Sequence, residues 1–254
     1  MGTRITPYTA PEDEAKKRQV ARMFDNIAEK YDFLNHLFSF GIDVLWRKKA
    51  LRLLEKRLTT AGDDVALLDM ATGTADFAIE AVRSGRKTYQ VTGVDISPGM
   101  LAVGRKKIVR RGWDERIELI EGDSVQLPFD DGAFDAYTVA FGVRNFEDLR
   151  GGLTEMHRVL KPCGWAVVLE FSKPRKFPMK QLFGFYFKRI MPTVGRWVSK
   201  DAAAYTYLPE SVAAFPEGQA FLDELTACGY DELTAVPLTG GIASIYFGRK
   251  PHQA

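Results

Sequence analysis

Apolar and polar positions follow two rhythms along the chain. Five short β-rich runs, VALLDM (65–70), TYQVTGVDI (88–96), IELIEGD (117–123), FDAYTVAFG (134–142) and GWAVVLEFS (164–172), are separated by segments with helical periodicity or a turn. Short apolar strands alternating with helices predict parallel pairing through crossovers, hence a doubly wound α/β sheet. The tail changes rhythm: a helical pattern at 218–228 leads to ELTAVPL and ASIYFGRK, joined by TGGI, which predicts a closing hairpin whose last strand runs antiparallel. Two regions fall outside this core. Residues 1–58 read as a helical N-terminal extension, with helical patterning over 16–58, and residues 174–216 as an aromatic and basic insertion between the fifth and sixth strands. Residues 59–254 form one domain that carries this insertion. Ligands of open α/β sheets bind beyond the carboxyl ends of the strands, so both additions are expected to cover the ligand.

Composition narrows the partners. A chain of 254 residues, 46% hydrophobic and 27% charged, predicts one well-buried core rather than disorder. Its net charge of +2 gives no reason to expect nucleic acid or another polyanion. The local basic runs RKKALR (47–52), RKKIVRR (105–111) and KPRK (173–176) read first as solvated faces or loops. Cys163 and Cys228 lack metal-ligand or C-x-x-C spacing, so neither a metal site nor a disulfide is expected, and a reducing cytosol is the default. The opening MGTRITPYTAPEDEAKKRQ has no apolar signal core, and no window predicts a membrane span. MGTRIT fits the acylation pattern M-G-x-x-x-[ST] through Thr6, a match too short to carry weight.

Candidate chemistry begins at LLDMATGTADFAI (67–79), where a strand ends in a loop with one glycine, Gly73, before an amphipathic segment. The G-x-G-x-x-G that brings a backbone against a pyrophosphate is missing. A ligand without phosphates relaxes that requirement, and S-adenosylmethionine is one. Asp69, the loop from Met70 to Gly73, and Thr74 can supply acceptors and donors to its amino-acid end. Asp95, 26 residues after Asp69, ends the second run, where a carboxylate accepts ribose hydroxyls. Asp123 in EGDSVQLPF ends the third, where it or a neighbouring amide addresses the adenine amino group. One acid at a strand end solvates a loop as often as it binds; three in register with three successive strands make a stronger constellation. A dinucleotide enzyme shares the acid spacing but needs the second glycine. A nucleic-acid amino methyltransferase is disfavoured because AFGVRNFED lacks its Asn- or Asp-Pro-Pro-aromatic turn. A non-catalytic scaffold is a third, disfavoured class.

Four longer stretches carry a family resemblance. FDNIAEKYDFLNHLFSFGIDVLWRKKAL (24–51), AFGVRNFEDL (140–149), RVLKPCGWAVVLEFSKP (158–174) and SKDAAAYTYLPESVAAFP (199–216) resemble the quinone-ring C-methyltransferases of menaquinone and ubiquinone biosynthesis, the MenG/UbiE family. The likeness runs from Lys16 to Lys250. It implies a class I S-adenosylmethionine-dependent methyltransferase (Rossmann-like) fold, with Thr74, Asp95, Asp123 and Ser124 binding the cofactor. Three positions depart from the family pattern: Ala75 replaces a usual glycine, Cys163 stands where K-P-G-G is common, and Ala140 replaces a serine before F-G.

The implied reaction puts a methyl group on a quinol carbon beside an oxygenated carbon. TPY and FGIDVLWRKK look most like menaquinone-only members, and a dual enzyme that also methylates the ubiquinone precursor is the alternative. A neutral phenol, with a pKa of about 10, is a poor carbon nucleophile, so the site needs a cation or base that favours phenolate. Arg144 and Asn145, after the fourth strand, are the catalytic candidates: Arg144 stabilises the phenolate and Asn145 orients a quinol oxygen. The plainer role for Arg144 is to cap the loop by pairing with Glu147 or Asp148. Tyr31, Asn35, Tyr205 and Tyr207 are second-rank substrate contacts, and His36 and His157 read as structural. In the insertion, Phe183, Tyr186, Phe187 and Ile190 lie at helical offsets beside Lys180, Lys188 and Arg189. Such a segment lines a prenyl tunnel, lies on an anionic bilayer, or simply closes over the sheet. The expected partners are thus a prenylated quinol and, transiently, the inner face of the membrane, approached from the cytoplasm. A homodimer is compatible with the sequence.

Overall fold

The computed structural model describes residues 5–8, 14–39, 41–59, 62–185, 189 and 203–252, with the side chains of 34, 36–38 and 203–206 outside that description. The β-rich runs become β1 (Asp64–Met70), β2 (Thr88–Asp95), β3 (Ile117–Glu121), β4 (Phe134–Ala140) and β5 (Leu160–Phe171), and the tail gives β6 (Asp231–Leu238) and β7 (Ala243–Arg249). They form one sheet in the order β3-β2-β1-β4-β5-β7-β6. β1 to β5 are mutually parallel, whereas β7 runs antiparallel to both β5 and β6. Burial explains why the final strand is not the edge. β7 is buried along nearly its whole length, while β6 alternates between exposed and half-buried positions, so the strand that tolerates water takes the open side.

Period-two alternation builds two cores, one on each face of the sheet. Leu67, Val167, Leu169, Ile245 and Phe247 point to one face, where they meet Ala50, Leu51 and Leu54 of α2 (Ile42–Glu55), Phe77 and Ala81 of α3 (Asp76–Ser84), and Leu101 and Ile108 of α4 (Pro98–Arg110). Their neighbours Leu68, Ala166, Val168 and Tyr246 point to the other face, against Leu153 and Met156 of α5 (Leu149–Val159) and the helix Gln219–Ala227. α2 is therefore part of the core, its buried leucines contributing roughly 1.5–3 kcal/mol each.

α1 (Lys16–Ser39) precedes α2 across a turn at Gly41 and lies over the carboxyl ends of the parallel strands. Val20, Met23 and Ile27 on its inner face pack with Tyr207 and Val212 of the helix Ala203–Ala214, with Phe171 and Phe183 around them. We label the insertion helices α6 (Met179–Phe185) and α7 (Ala203–Ala214), and the last helix (Gln219–Ala227) α8. Tyr186, Phe187, Lys188 and Ile190, which the sequence singled out, lie outside the described residues. Among the described residues, no helix is long and apolar enough to cross a membrane.

Candidate active site

The parallel strands end at Met70, Asp95, Glu121, Ala140 and Phe171, and the loops beyond the first four surround a cavity of about 220 Å³. α1 closes over it through polar contacts to each of those loops. Asp32 accepts the Thr74 hydroxyl after β1; Asp25 accepts the Ser97 hydroxyl at 2.6 Å and the Gly99 amide at 2.8 Å after β2. Lys17 pairs with Asp123 at 2.9 Å after β3, and the Lys16 ammonium donates to the Arg144 and Phe146 carbonyls after β4. Lys17, Val20, Phe24 and Tyr31 line the cavity, at intervals of three, four and seven residues that put them on one helix face. That spacing is readable from sequence; the expectation found only Tyr31, because nothing local says which face of α1 meets the sheet.

Two loops touch at the cavity floor. A Cβ on Gly142 would lie 2.4 Å from that of Ala71, so the glycine of A-F-G is fixed by the approach of the loops after β1 and β4. Ala71 and Phe141 hold positive φ there, 53° and 57°. Gly73 also takes a positive φ, 56°, and its amide donates to Asp95 at 2.8 Å. This single glycine lets the loop turn its main chain toward the carboxylate of the neighbouring strand.

Asp95 is buried and accepts a second amide, Ser97, at 2.9 Å. Burial raises its pKa to about 6, with the two amides opposing the rise. Asp95, Asp123, Glu147 and Asp148 give the cavity four carboxylates against one lysine, Lys17, while Met70, Ile96, Met100 and Val125 supply apolar walls. A pyrophosphate would meet like charge there, whereas a ligand with a sulfonium and an ammonium meets opposite charge. The residues present therefore fit S-adenosylmethionine and oppose a dinucleotide.

Sequence similarity points to the same cofactor. A profile of the ubiE/COQ5 methyltransferase family matches residues 12–250. The chain belongs to that family. It is 45% identical over 247 residues to the demethylmenaquinone methyltransferase of Bacteroides fragilis, spanning 97% of this chain and 98% of that one. It is 42% identical over 235 residues, 92% of this chain and 97% of that one, to the ubiquinone/menaquinone biosynthesis C-methyltransferase UbiE of Geotalea uraniireducens. Solved structures extend the likeness of fold alone. The [4+2]-cyclase SpnF superposes with a TM-score of 0.67 at 18% identity, covering 98% of this chain and all of that one. Phosphoethanolamine N-methyltransferase 2 of Haemonchus contortus, solved with S-adenosyl-L-methionine, gives 0.57 at 14%, over 80% of this chain and 52% of that one. A cyclase and a methyltransferase on one fold show that the site decides the chemistry.

Within this ubiE/COQ5 methyltransferase, the cofactor-side expectations divide. Gly73, Asp95, Asp123 and Ser124 line the cavity, and so does Met70. Asp69 does not. Both its carboxylate oxygens are consumed inside the fold, accepting the Thr72 and Thr138 hydroxyls at 2.6 and 2.7 Å, and burial raises its pKa to about 6. Asp69 holds β1, its loop and β4 together rather than facing the cavity. Thr74 is also turned away, its hydroxyl between Asp32 and Lys107, whose ammonium bridges Asp32 and Asp76. Local sequence cannot reveal either case, since each depends on a partner from a distant segment. Two departures from the family pattern also find their place: Ala75 and Cys163 both sit at φ 65°, a conformation that favours glycine. Ala140 lines the cavity.

On the acceptor side, Arg144 pairs with neither Glu147 nor Asp148. Its guanidinium bonds Glu170, the last carboxylate of β5, at 2.9 and 3.1 Å, and also the Phe141 carbonyl. The expected free cation is thus a buried ion pair, which sequence reasoning missed because Glu170 lies in a strand read as core. Asn145 is buried and lines the cavity. Tyr31 lines it too, with Asn35 hydrogen-bonded to its phenol but not itself in the lining. Tyr207 is buried beside Arg144 and Glu170 rather than in the lining, and the Tyr205 side chain lies outside the described residues, as does that of His36. His157 packs edge-on against Tyr230 in the opposite core. Both cysteines are free, and no metal-binding group occurs among the described residues.

Proposed function

We propose that the protein transfers the methyl group of S-adenosylmethionine to a ring carbon of demethylmenaquinol, giving menaquinol. The identity of 45% across nearly the full length of a demethylmenaquinone methyltransferase carries this reading. When bound, S-adenosylmethionine would supply a methyl group on a cationic sulfur, which keeps the bonding electrons as the methyl passes to the ring carbon; that carbon then releases its own hydrogen as a proton to water and the ring becomes aromatic again. Asp95 accepts the ribose hydroxyls, Asp123 with Ser124 addresses the adenine edge, and the Met70 to Gly73 loop faces the amino-acid end. Asn145 orients a quinol oxygen beside that carbon, and Arg144 favours its phenolate. Phe24, Phe141 and Phe146 in the lining exclude water from the acceptor. Assaying the purified protein against demethylmenaquinol and the demethylated ubiquinone precursor, with product mass as readout, tests the reading. Methylation of the first alone is expected; methylation of both gives the dual enzyme, as the UbiE relative is named, and methylation of neither overturns it.

The same reading puts the enzyme at the membrane surface. A polyprenyl quinol partitions into lipid, so an enzyme that acts on it must meet it at the bilayer. Support comes from α6 and the residues before it: Phe177, Leu182 and Phe185 are exposed beside Arg175, Lys176 and Lys180, whereas Phe183 is half-buried against the α1 cluster. Each basic residue near an anionic surface contributes about 1 kcal/mol. Replacing Lys180, Lys188 and Arg189 by glutamine is expected to cut flotation with anionic liposomes and to slow long-tailed quinols more than short-tailed ones. Equal slowing with unchanged flotation makes the insertion a lid alone.

A further inference from the structure

Three buried polar atoms on the acceptor side have no partner: Arg144 Nε, Asn145 Oδ1 and the Tyr207 hydroxyl. They are a donor, an acceptor and a group that is both, brought together from the loop after β4 and from α7. Leaving such groups unsatisfied in the interior is costly; Asn145 lines the cavity, Arg144 adjoins it in the chain, and Tyr207 is buried beside Arg144 just behind the lining, so the three mark a place for a ligand's polar atoms at that wall. What fixes the donor is Glu170. It is wholly buried, accepts the Arg144 guanidinium at 2.9 and 3.1 Å, and is held in turn by the Phe171 amide at 2.8 Å. The Arg144 guanidinium also donates to the Phe141 carbonyl and stacks 5.6 Å from the centre of the Phe171 ring, so it has little freedom to reorient.

We infer that Glu170 is a positioning residue for the methyl transfer, locking Arg144 so that its Nε hydrogen faces the quinol oxygen, and that the Tyr207 hydroxyl makes a second contact to that oxygen. The inference rests on the quinol reading above and names groups of that same site. Its logic is electrostatic as well as geometric. With Glu170 ionised, the charge of Arg144 is cancelled nearby, so the pair acts on the acceptor through an oriented hydrogen bond and only weakly through net charge. Among the described residues, the other titratable or charged groups facing this pair are Tyr207 from α7, Tyr31 from α1, Tyr246 from β7 and the Lys16 ammonium, which bonds the Arg144 carbonyl. Burial holds the phenols of Tyr31, Tyr207 and Tyr246 above their ordinary range, so they stay neutral through the working pH.

The test uses Glu170→Gln, Glu170→Asp and Tyr207→Phe in the full chain with two readouts. One is turnover of a short-tailed demethylmenaquinol. The other is the phenolate absorbance of 1-naphthol, titrated with pH in the presence of S-adenosylhomocysteine, which needs no turnover and so decides the assignment even for a protein that methylates another phenol. Glu170→Gln uncovers the charge of Arg144 and is expected to lower the pKa of bound naphthol by about one unit, while turnover falls on the order of 10²-fold because the donor is no longer aimed. Glu170→Asp restores the charge, and with it the naphthol pKa, but not the rate. Tyr207→Phe, which removes one oxygen and threatens the fold least, raises the naphthol pKa. If the glutamine and phenylalanine variants leave the naphthol pKa unchanged and only lower the melting temperature, Glu170 is a packing partner and the inference fails.

Discussion

The two halves of the cavity are built on opposite electrostatic plans. Beyond β1 to β3, Asp95 and Asp123 face the cavity with carboxylates set by their own strand ends, and little positive charge answers them beyond Lys17. Beyond β4 and β5, Arg144 is cancelled by Glu170, Glu147 and Asp148 accept the Lys16 and Gly151 amides, and the unpartnered polar atoms there among the described residues, Arg144 Nε, Asn145 Oδ1 and the Tyr207 hydroxyl, are directional. The first plan suits a ligand that brings positive charge; the second suits a neutral phenol whose charge develops only on reaction. A field present in advance serves binding, while an oriented donor serves a transition state.

The sharpest way to break that contrast is Arg144→Ala. Removing one member of a buried pair leaves Glu170 uncompensated, so stability should fall by about 3–5 kcal/mol in denaturant titration. Turnover should drop far more than S-adenosylmethionine affinity; equal losses would mean that the halves are not separate. On the cofactor side, Asp95→Ala removes charge-assisted hydrogen bonds, and calorimetry should show about 1.5–3 kcal/mol weaker cofactor binding. Quinol affinity should change little.

A pH series sharpens the comparison within the cofactor half. Burial raises the pKa of both Asp69 and Asp95 from 3.8 to about 6. The folded chain then holds these protons more tightly than the unfolded one, so the stability of the free protein should fall as pH rises from about 4 to about 6 and level off above. Cofactor affinity should move the other way, because the Asp95 carboxylate accepts ribose hydroxyls better when ionised. Parallel slopes would exclude Asp95 from the ribose site. The smallest effect concerns the hinge of the loop itself: Ala75→Gly relieves a left-handed alanine at φ 65° and should raise stability by about 1 kcal/mol in thermal unfolding, with cofactor affinity unchanged.

The parallel, doubly wound arrangement of β1 to β5 and the antiparallel last strand were legible in the chain, and Gly73, Asp95, Asp123 and Ser124, read there as cofactor residues, lie in the cavity lining. Each is a local matter: period-two apolar runs, crossover helices, and an acid at or just past a strand end. Asp69 looked equivalent to Asp95 for the same local reason, yet it is spent on Thr72 and Thr138. Thr74 lay in the right loop but turned to Asp32, 42 residues away in the chain.

What the sequence by itself determined, then, was the sheet, its topology and the edge at which ligands gather, because alternation and strand ends are encoded within a few neighbouring residues. Only the tertiary structure decided which carboxylates remain open to a ligand. Asp95 stays at the cavity with two amides as partners, Ser97 just past its own strand and Gly73 from the loop after β1, whereas Asp69 is withdrawn by a hydroxyl from β4. Arg144 read as a free cation until β5 brought Glu170 beside it from 26 residues away. A charge acts on a ligand only as far as its neighbours leave it uncancelled, and those neighbours come from strands that the chain brings together by folding.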